Sequence, residues 1–261
     1  MTNTITPIKE GQAKNLTYQV FEDRTAMGKA AGRDVIESIN KVIKEKGHVR
    51  MIFAAAPSQS EVLEQLVATK DVDWSKVTVF HMDEYIGYDH NSNNSFAYFL
   101  NKHLFKQVKP KTVNLINGNV SDYEQECQRY VDLLTKEPID IVCLGIGENG
   151  HIAFNEPEVA DFQDPKKMKV VPLDDICRQQ QVNEGLFPTI DDVPKDALTV
   201  TIPMLLSASH LFCVVPGPTK HNAVIKTLQD PITTDTPSTI LRKHADCTLY
   251  LDQEAFGRGA M

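Results

Sequence analysis

The stretch Ile139-Asp140-Ile141-Val142-Cys143-Leu144-Gly145-Ile146-Gly147-Glu148-Asn149-Gly150-His151-Ile152-Ala153-Phe154-Asn155-Glu156-Pro157 holds the strongest pattern in this chain of 261 residues. Its first six residues are mostly apolar, which is typical of a buried strand in a parallel sheet. Three glycines come next, so the backbone can turn sharply and approach a ligand closely. One histidine and two glutamates lie directly after this strand. Because open α/β sheets bind ligands at the carboxyl ends of their strands, the segment predicts an active site.

Helical and strand patterns alternate along almost the whole chain. The predicted helices are 24–46, 60–69 (with Ser60 as N-cap), 95–105, 123–136 and 220–228, and the predicted strands are 49–55, 77–81, 139–144, 198–202, 210–215 and 247–251. Such alternation favours βαβ units. We therefore predict one Rossmann-like α/β domain over residues 1–261, with a mostly parallel sheet covered by helices on both faces. The polar segment 158–193 has no clear period and is interpreted as an insertion or lid over the active site.

The overall composition excludes several classes of protein. A net charge of −8 argues against nonspecific nucleic-acid binding. The N-terminus lacks the apolar core of a signal peptide, and no apolar run reaches the length of a membrane span. Five scattered cysteines without a C-x-x-C pair favour reduced thiols. We expect a cytoplasmic protein with neither nucleic-acid nor membrane partners.

A second chemical segment is Val77-Thr78-Val79-Phe80-His81-Met82-Asp83-Glu84-Tyr85, where a strand ends in two adjacent carboxylates. Side chains alternate along a strand, so Asp83 and Glu84 cannot both point at one spot unless the strand has ended. One of them can then act as a base at the sheet edge while the other caps or pairs elsewhere. A solvated acidic loop is the alternative interpretation.

Two further strand ends are candidate anion sites. In the first, small residues lead from a strand into a helix, where free N–H groups and the helix dipole attract anions; its candidates are Ala56, Ser58, Gln59 and Ser60. It is not a P-loop, because G-x-x-x-x-G-K-[ST] is absent. In the second, Val214-Val215-Pro216-Gly217-Pro218-Thr219-Lys220 delivers a lysine into the first turn of a helix. A plain surface lysine is an equally good interpretation of Lys220.

Other catalytic classes lack support in the sequence. The histidines and cysteines show no H-x-x-x-H or C-x-x-C spacing, so we predict no catalytic metal. No G-x-S-x-G elbow is present, which argues against a serine hydrolase.

With these segments assembled, the chain resembles the glucosamine-6-phosphate deaminase (isomerase) family. The resemblance is carried by the "MDEY" segment that ends at Tyr85, by Asn114-Leu115-Ile116-Asn117-Gly118-Asn119, and above all by the "NGHIAFNEP" segment that ends at Pro157. It continues from Val193 through Val200 to Lys220 and covers about three quarters of the chain. Related sugar-phosphate lactonases share the glycine–histidine part but continue it with a Ser-Leu-Phe-Pro type of sequence. The run Phe154-Asn155-Glu156-Pro157 favours the deaminase side.

The resemblance implies an enzyme that converts an amino-sugar 6-phosphate and water to a ketose 6-phosphate and ammonia without a cofactor. By the same resemblance, Asp83 is the base that moves a proton between C2 and C1, His151 opens the pyranose ring, and Glu156 supports that step. Lys220 is implied as a cation near the substrate phosphate. The remaining residues expected to contact substrate are Ala56, Ser58, Gln59, Ser60, Glu84, Gly147 and Arg178.

Two positions depart from the common family pattern. Asn149 stands where many members have aspartate; an asparagine can orient an imidazole but cannot stabilise imidazolium by charge. Ala54-Ala55-Ala56-Pro57-Ser58 replaces a glycine-rich phosphate loop. A phosphate-binding arginine of the family has no direct match, although Arg178 lies in the corresponding region.

Four functional interpretations therefore stay open. The first is a glucosamine 6-phosphate deaminase, and the second a galactosamine 6-phosphate deaminase of the same mechanism. The third is a 6-phosphogluconolactonase-like hydrolase, for which Asp83 would be unnecessary as a carbon base. The fourth is a sugar-phosphate sensor of the same fold, which would not need Asp83, His151 and Glu156 together. A small-molecule amino-sugar phosphate is the expected partner, and a homo-oligomer is left open.

Overall fold

The computed structural model describes residues 5–257, whose elements follow the predicted βα alternation. The strands are β1 Lys9–Ala13, β2 Leu16–Phe21, β3 Val49–Phe53, β4 Val77–His81, β5 Asp83–Tyr85, β6 Thr112–Val113, β7 Ile141–Leu144, β8 Met168–Pro172, β9 Asp196–Val200, β10 His210–Val215 and β11 Cys247–Asp252. The helices are α1 Arg24–Lys46, α2 Ser60–Ala68, α3 Phe96–Leu100, α4 Lys106–Val108, α5 Tyr123–Leu134, α6 Asp175–Asn183, α7 Ile202–Leu206, α8 His221–Gln229 and α9 Gln253–Phe256, with a π-helical turn Asn101–Phe105 between α3 and α4. No helix within these residues is long and apolar enough to cross a membrane.

Eight strands form the main sheet in the order β1-β2-β11-β10-β7-β3-β4-β6. Every neighbouring pair in it is parallel except the hairpin of β1 and β2. The prediction of a mostly parallel sheet is therefore confirmed. The antiparallel edge was not predicted, because the polar sequence of β1 does not show a strand pattern.

Helices cover both faces of this sheet, as predicted. Alternating residues of β3 show the division, since Met51 and Phe53 pack in one apolar cluster and Ile52 in the other. The first cluster includes residues of α1 and α2, such as Val35. The second includes residues of α5 and α8, such as Tyr130. Burial on both faces explains why these strands are continuous apolar runs in the sequence.

A second, smaller antiparallel sheet has the strand order β5-β9-β8. It corrects the prediction of a strand over 198–202, because β9 of this sheet ends at Val200 and Ile202 already belongs to α7. The segment 158–193, interpreted as an insertion or lid without a clear period, contains β8 and α6. The period of α6 is hard to detect because the residues that it buries include Arg178 and Gln181.

Several predicted boundaries also move by a few residues. Ser60 is not an N-cap but the first residue of α2, because a 3₁₀ turn, Pro57–Gln59, precedes the helix. A second such turn, Pro218–Lys220, precedes α8, so that helix begins one residue later than predicted. The predicted strand 49–55 ends at Phe53, which leaves the next residues free to form a loop. The five cysteines are all buried and free of disulfide bonds, as their spacing predicts.

Candidate active site

Four neighbouring parallel strands, in the order β10-β7-β3-β4, send their carboxyl ends to one edge of the main sheet. Each of the four segments in which the sequence predicts chemistry or anion binding follows one of these strands. The four segments surround a cleft. The residues that line this cleft are Ala54, Ala55, Ala56, Ser58, Gln59, Met82, Asp83, Phe96, Gly145, Ile146, Gly147, His151, Ala153, Phe154, Gln180, Gln181, Glu184 and Lys220. Sheet topology alone thus brings Asp83, His151 and Lys220 to one site.

Two neighbouring side chains hold the imidazole of His151 at its Nδ1 atom. Its Nδ1 lies 2.9 Å from Oδ1 of Asn149 and 2.8 Å from Oε1 of Glu156. Two acceptors at Nδ1 favour the tautomer that carries its hydrogen there, which leaves Nε2 able to accept or return a proton. The side-chain amide of Asn149 also donates to Glu156, so the three side chains form one connected network. Asn149 and Glu156 do not line the cleft themselves but position the residue that does.

Glu156 is buried, yet its carboxylate is kept ionised by its neighbours. Burial raises the pKa of a carboxyl group, but the charge of His151 and the hydrogen bonds from His151, Asn149 and Cys177 outweigh it, so the pKa of Glu156 is lowered. Burial and the Glu156 carboxylate together raise the pKa of the Cys177 thiol well above its ordinary value. Cys177 therefore serves as a neutral donor to Glu156 rather than as a nucleophile.

Two glycines after β7, Gly147 and Gly150, are required by close packing. A Cβ atom at Gly147 would lie within 2.3 Å of three atoms of the His151 ring. Gly150 has φ = +83°, and a Cβ there would lie 2.6 Å from Cγ2 of Thr236. The glycines thus let the loop fold tightly around the imidazole, in addition to making the sharp turn that the sequence predicts.

Asp83 follows the carboxyl end of β4 and lines the cleft, although its side chain is mostly buried. Burial raises the pKa of its carboxyl group well above the ordinary value, and the charge of neighbouring Glu84 raises it further. A carboxylate with a raised pKa is a stronger base than an exposed one. The location therefore suits the predicted role of a carbon base.

Glu84, which is predicted to contact substrate, lies beside the start of α3. Because Asp83 and Glu84 are successive residues of β5, their side chains point to opposite faces. The Glu84 carboxylate accepts hydrogen bonds from the backbone N–H groups of Tyr85, Phe96 and Ala97 at the start of α3. Burial raises its pKa to about 7, and these three donors limit the rise. Glu84 caps a helix and is absent from the cleft lining.

The predicted anion-binding loop lies partly in the cleft. Ala56, Ser58 and Gln59 line it, whereas Ser60 does not. The Gln59 side chain is buried, and its amide nitrogen lies 3.3 Å from the carbonyl oxygen of Val214. Gln59 therefore ties the loop after β3 to the end of β10, in addition to facing the cleft.

Of the two predicted cations, one faces the cleft. Lys220 lines it, and burial lowers the pKa of its ammonium group despite the opposing charges of Glu184 and Glu148. The guanidinium of Arg178 instead binds the carboxylate of Asp175 and, at 2.6 Å, the carbonyl oxygen of Ile190. Arg178 thus holds the chain after α6 and does not line the cleft, while its buried Nε has no hydrogen-bond partner within the described residues. Its contact with substrate stays a prediction.

Sequence reasoning missed the contribution of α6 to the site. Gln180 and Gln181 line the cleft from this helix, and Glu184 lines it from just beyond the helix end. The available signal was Asp174, an N-cap whose carboxylate accepts from the N–H of Cys177 and precedes a run of residues that favour helix.

Within residues 5–257, one group of three potential metal ligands lies close together. The ligand atoms of His151, Glu156 and Cys177 are within 4.8 Å of one another. The absence of a catalytic metal stays a prediction.

Known proteins resemble this chain over most of its length. The sequence profile of the family described as glucosamine-6-phosphate isomerases/6-phosphogluconolactonase matches residues 22–250. A glucosamine-6-phosphate deaminase of Listeria monocytogenes serotype 4a is 36% identical over 232 residues, which are 88% of this chain and 97% of that protein. One of Bacillus cytotoxicus is 36% identical over 225 residues, 86% of this chain and 82% of its own.

Solved structures show the same likeness. A protein described as a monomeric glucosamine-6-phosphate deaminase superimposes with a TM-score of 0.82 at 33% identity, covering 91% of this chain and 98% of its own. The 6-phosphogluconolactonase of Thermotoga maritima reaches a TM-score of 0.74 at 18% identity, over 91% of this chain and 99% of its own, and shares the fold. The family profile matches most of this chain, and the chain covers 97% of the Listeria monocytogenes relative. The chain therefore belongs to the glucosamine-6-phosphate isomerase/6-phosphogluconolactonase family.

Proposed function

We propose that the protein is a glucosamine-6-phosphate deaminase, which converts glucosamine 6-phosphate and water to fructose 6-phosphate and ammonia. The observation that carries the proposal is the pairing, in one cleft, of a buried carboxylate, Asp83, with an imidazole held by Glu156. Lactone hydrolysis moves no proton on carbon and would not need Asp83. The curated deaminases at 36% identity support the same choice.

The first step is opening of the sugar ring. The hydrogen on O1 must leave and the ring oxygen must gain one, so a single group that accepts and returns a proton suffices. Nε2 of His151 suits this task because Nδ1 is occupied by Asn149 and Glu156. The Glu156 carboxylate stabilises the imidazolium that forms while the proton is in transit.

The second step moves a proton from C2 to C1. Asp83 takes the C2 proton while O1 gains the proton that the C2 ammonium group releases, which gives an enolic amine. Return of the proton from Asp83 to C1 then leaves a protonated imine at C2. Water then adds to this imine, and ammonia leaves as the C2 ketone forms. Only protons and water are exchanged, so the chemistry itself calls for no redox cofactor.

The phosphate of the substrate is assigned to the end of the cleft formed by Lys220 and the loop of Ala56, Ser58 and Gln59. A cation beside polar groups at a helix start is a common way to bind phosphate. We further propose that the chain works as one catalytic domain in the cytoplasm, with α6 and its neighbours forming one wall of the cleft.

Release of ammonia, measured over a panel of sugars, tests the proposal. Glucosamine 6-phosphate should be turned over, whereas glucosamine without phosphate should be a very poor substrate. Galactosamine 6-phosphate measures epimer preference, and 6-phosphogluconolactone tests the lactonase alternative. Turnover of the lactone without ammonia release from either amino-sugar phosphate would overturn the assignment.

A further inference from the structure

The cation at the phosphate end of the cleft already has a partner. Oε1 of Glu184 lies 3.6 Å from Nζ of Lys220. The same Oε1 accepts a hydrogen bond of 2.8 Å from the side-chain amide of Gln180. A protein carboxylate thus lies beside the ammonium group that a substrate phosphate would contact.

The charges around Lys220 determine how this pairing affects the binding of a phosphate. The charged residues of the cleft lining are Lys220, Asp83 and Glu184, so the acids outnumber the cation. Glu148 places a further negative charge near Lys220. Arg178, which does not line the cleft, binds Asp175 and the carbonyl oxygens of Ile190 and Val193. A phosphate monoester carries roughly −1.5 to −2 charges at neutral pH, so its binding beside Glu184 is opposed by repulsion.

We propose that Glu184 competes with the substrate phosphate for Lys220 and so lowers the affinity of the cleft for phosphate. Its side chain is 22% exposed and lies just past the last turn of α6, so it can turn towards solvent when phosphate arrives. Lys220, in contrast, is 7% exposed and remains in the cleft. The competition weakens binding of the phosphate without touching the groups that move protons. The inference depends on the proposed function only in taking a phosphorylated sugar as the substrate.

The test removes the charge of Glu184 and keeps its shape. In Glu184→Gln, the Kd of inorganic phosphate, measured by calorimetry without turnover, should fall by about tenfold, as expected for loss of one like charge at close range. The KM for glucosamine 6-phosphate should fall by a similar factor, with kcat within about twofold. The gain should vanish in the double variant Glu184→Gln/Lys220→Ala, because the phosphate then has no ammonium group to bind.

A matched control is Glu124→Gln, which removes an acid paired with Lys166 at 3.3 Å on the protein surface. It should leave the Kd of phosphate unchanged. An unchanged or higher Kd in Glu184→Gln overturns the inference, whatever the turnover. Tighter phosphate binding without ammonia release by either protein upholds the inference and overturns the proposed function, so the two failures are distinguishable.

Discussion

A Cβ atom built on Gly147 would lie 2.1 Å from Cε1 of His151, so the backbone of one residue forms the surface on which the ring of the other rests. In Gly147→Ala the imidazole has to move away from Asn149 and Glu156. Because misplacing a general acid–base group commonly costs about 10²–10⁴-fold in rate, kcat for ammonia release should fall in that range.

The control for this variant is Gly47→Ala, after α1. Gly47 has φ = +80°, and a Cβ there meets no atom within 4 Å. It should lower stability by about 1 kcal/mol through backbone strain while activity is retained. Full activity in Gly147→Ala would show that the ring does not depend on this contact.

Asp83→Asn should abolish ammonia release while substrate still binds. The amide keeps the shape of the side chain but cannot take the C2 proton, so a loss of about 10²–10⁴-fold in kcat is expected. Steady-state kinetics and calorimetric binding of substrate measure the two effects separately. Near-normal turnover would remove Asp83 from the role of carbon base.

The same substitution should stabilise the fold at neutral and higher pH. Burial raises the pKa of both Asp83 and Glu84 in the folded protein above the pKa that each group has in the unfolded chain. The contribution of these two groups to stability is therefore greatest below their unfolded-state pKa values. It is lost as the pH rises through their folded-state pKa values, which for Glu84 is about 7. Asp83→Asn removes one buried charge and its repulsion of the other. Its Tm should exceed that of the wild type at pH 8 by at least about 2 °C.

This advantage should shrink as the pH is lowered, because the buried carboxyl groups of the folded wild type take up protons below their raised pKa values, which for Glu84 is about 7. Thermal melts across pH 5–8 give the comparison. Asp71→Asn, at an exposed site, is the control and should follow the wild type throughout. A lower Tm for Asp83→Asn at pH 8 would contradict the argument from burial.

His151→Gln should slow turnover of the cyclic substrate strongly, whereas an open-chain amino-alditol phosphate should still bind. The analogue has no ring to open, so it does not need the proton transfer assigned to His151. Inhibition constants of the analogue and kcat for the sugar are the two readouts. His48→Gln, at the opposite edge of the sheet before β3, should change neither; equal turnover in His151→Gln would make this histidine a packing residue.

Asn149→Asp should move the acid limb of the kcat/KM profile to higher pH. A carboxylate would replace the amide oxygen that lies 2.9 Å from Nδ1 of His151, and negative charge favours imidazolium. Since the ring acts as a base in its neutral form, a higher pH is then needed to reach full activity. Asn40→Asp on α1 controls for the added charge. A profile identical to that of the wild type would show that residue 149 does not influence the proton on His151.

The parts of this site that the sequence predicts are those with a strong local pattern. The apolar run and the glycines before His151 predict a strand and a turn from the local sequence alone. Asp83 likewise comes directly after a predicted strand. The partners of Glu84 and Arg178, the N–H groups at the start of α3 and the carbonyl oxygens after α6, could not be predicted because they are visible only in three dimensions. α6 itself escaped prediction because it buries Gln180 and Gln181, which an apolar period does not detect.

The placement of α6 has a consequence for how such an enzyme can be altered. Asp83 and His151 are held by strands of the two sheets and by the loops next to them, whereas Glu184 belongs to a separate polar helix that meets them only across the cleft. One charge that acts on the substrate phosphate therefore lies on a stretch of backbone separate from those that hold the proton-transfer groups. Exchange of residues 174–189 between relatives offers a way to change the affinity for phosphate while the strands and loops that hold Asp83 and His151 stay unchanged.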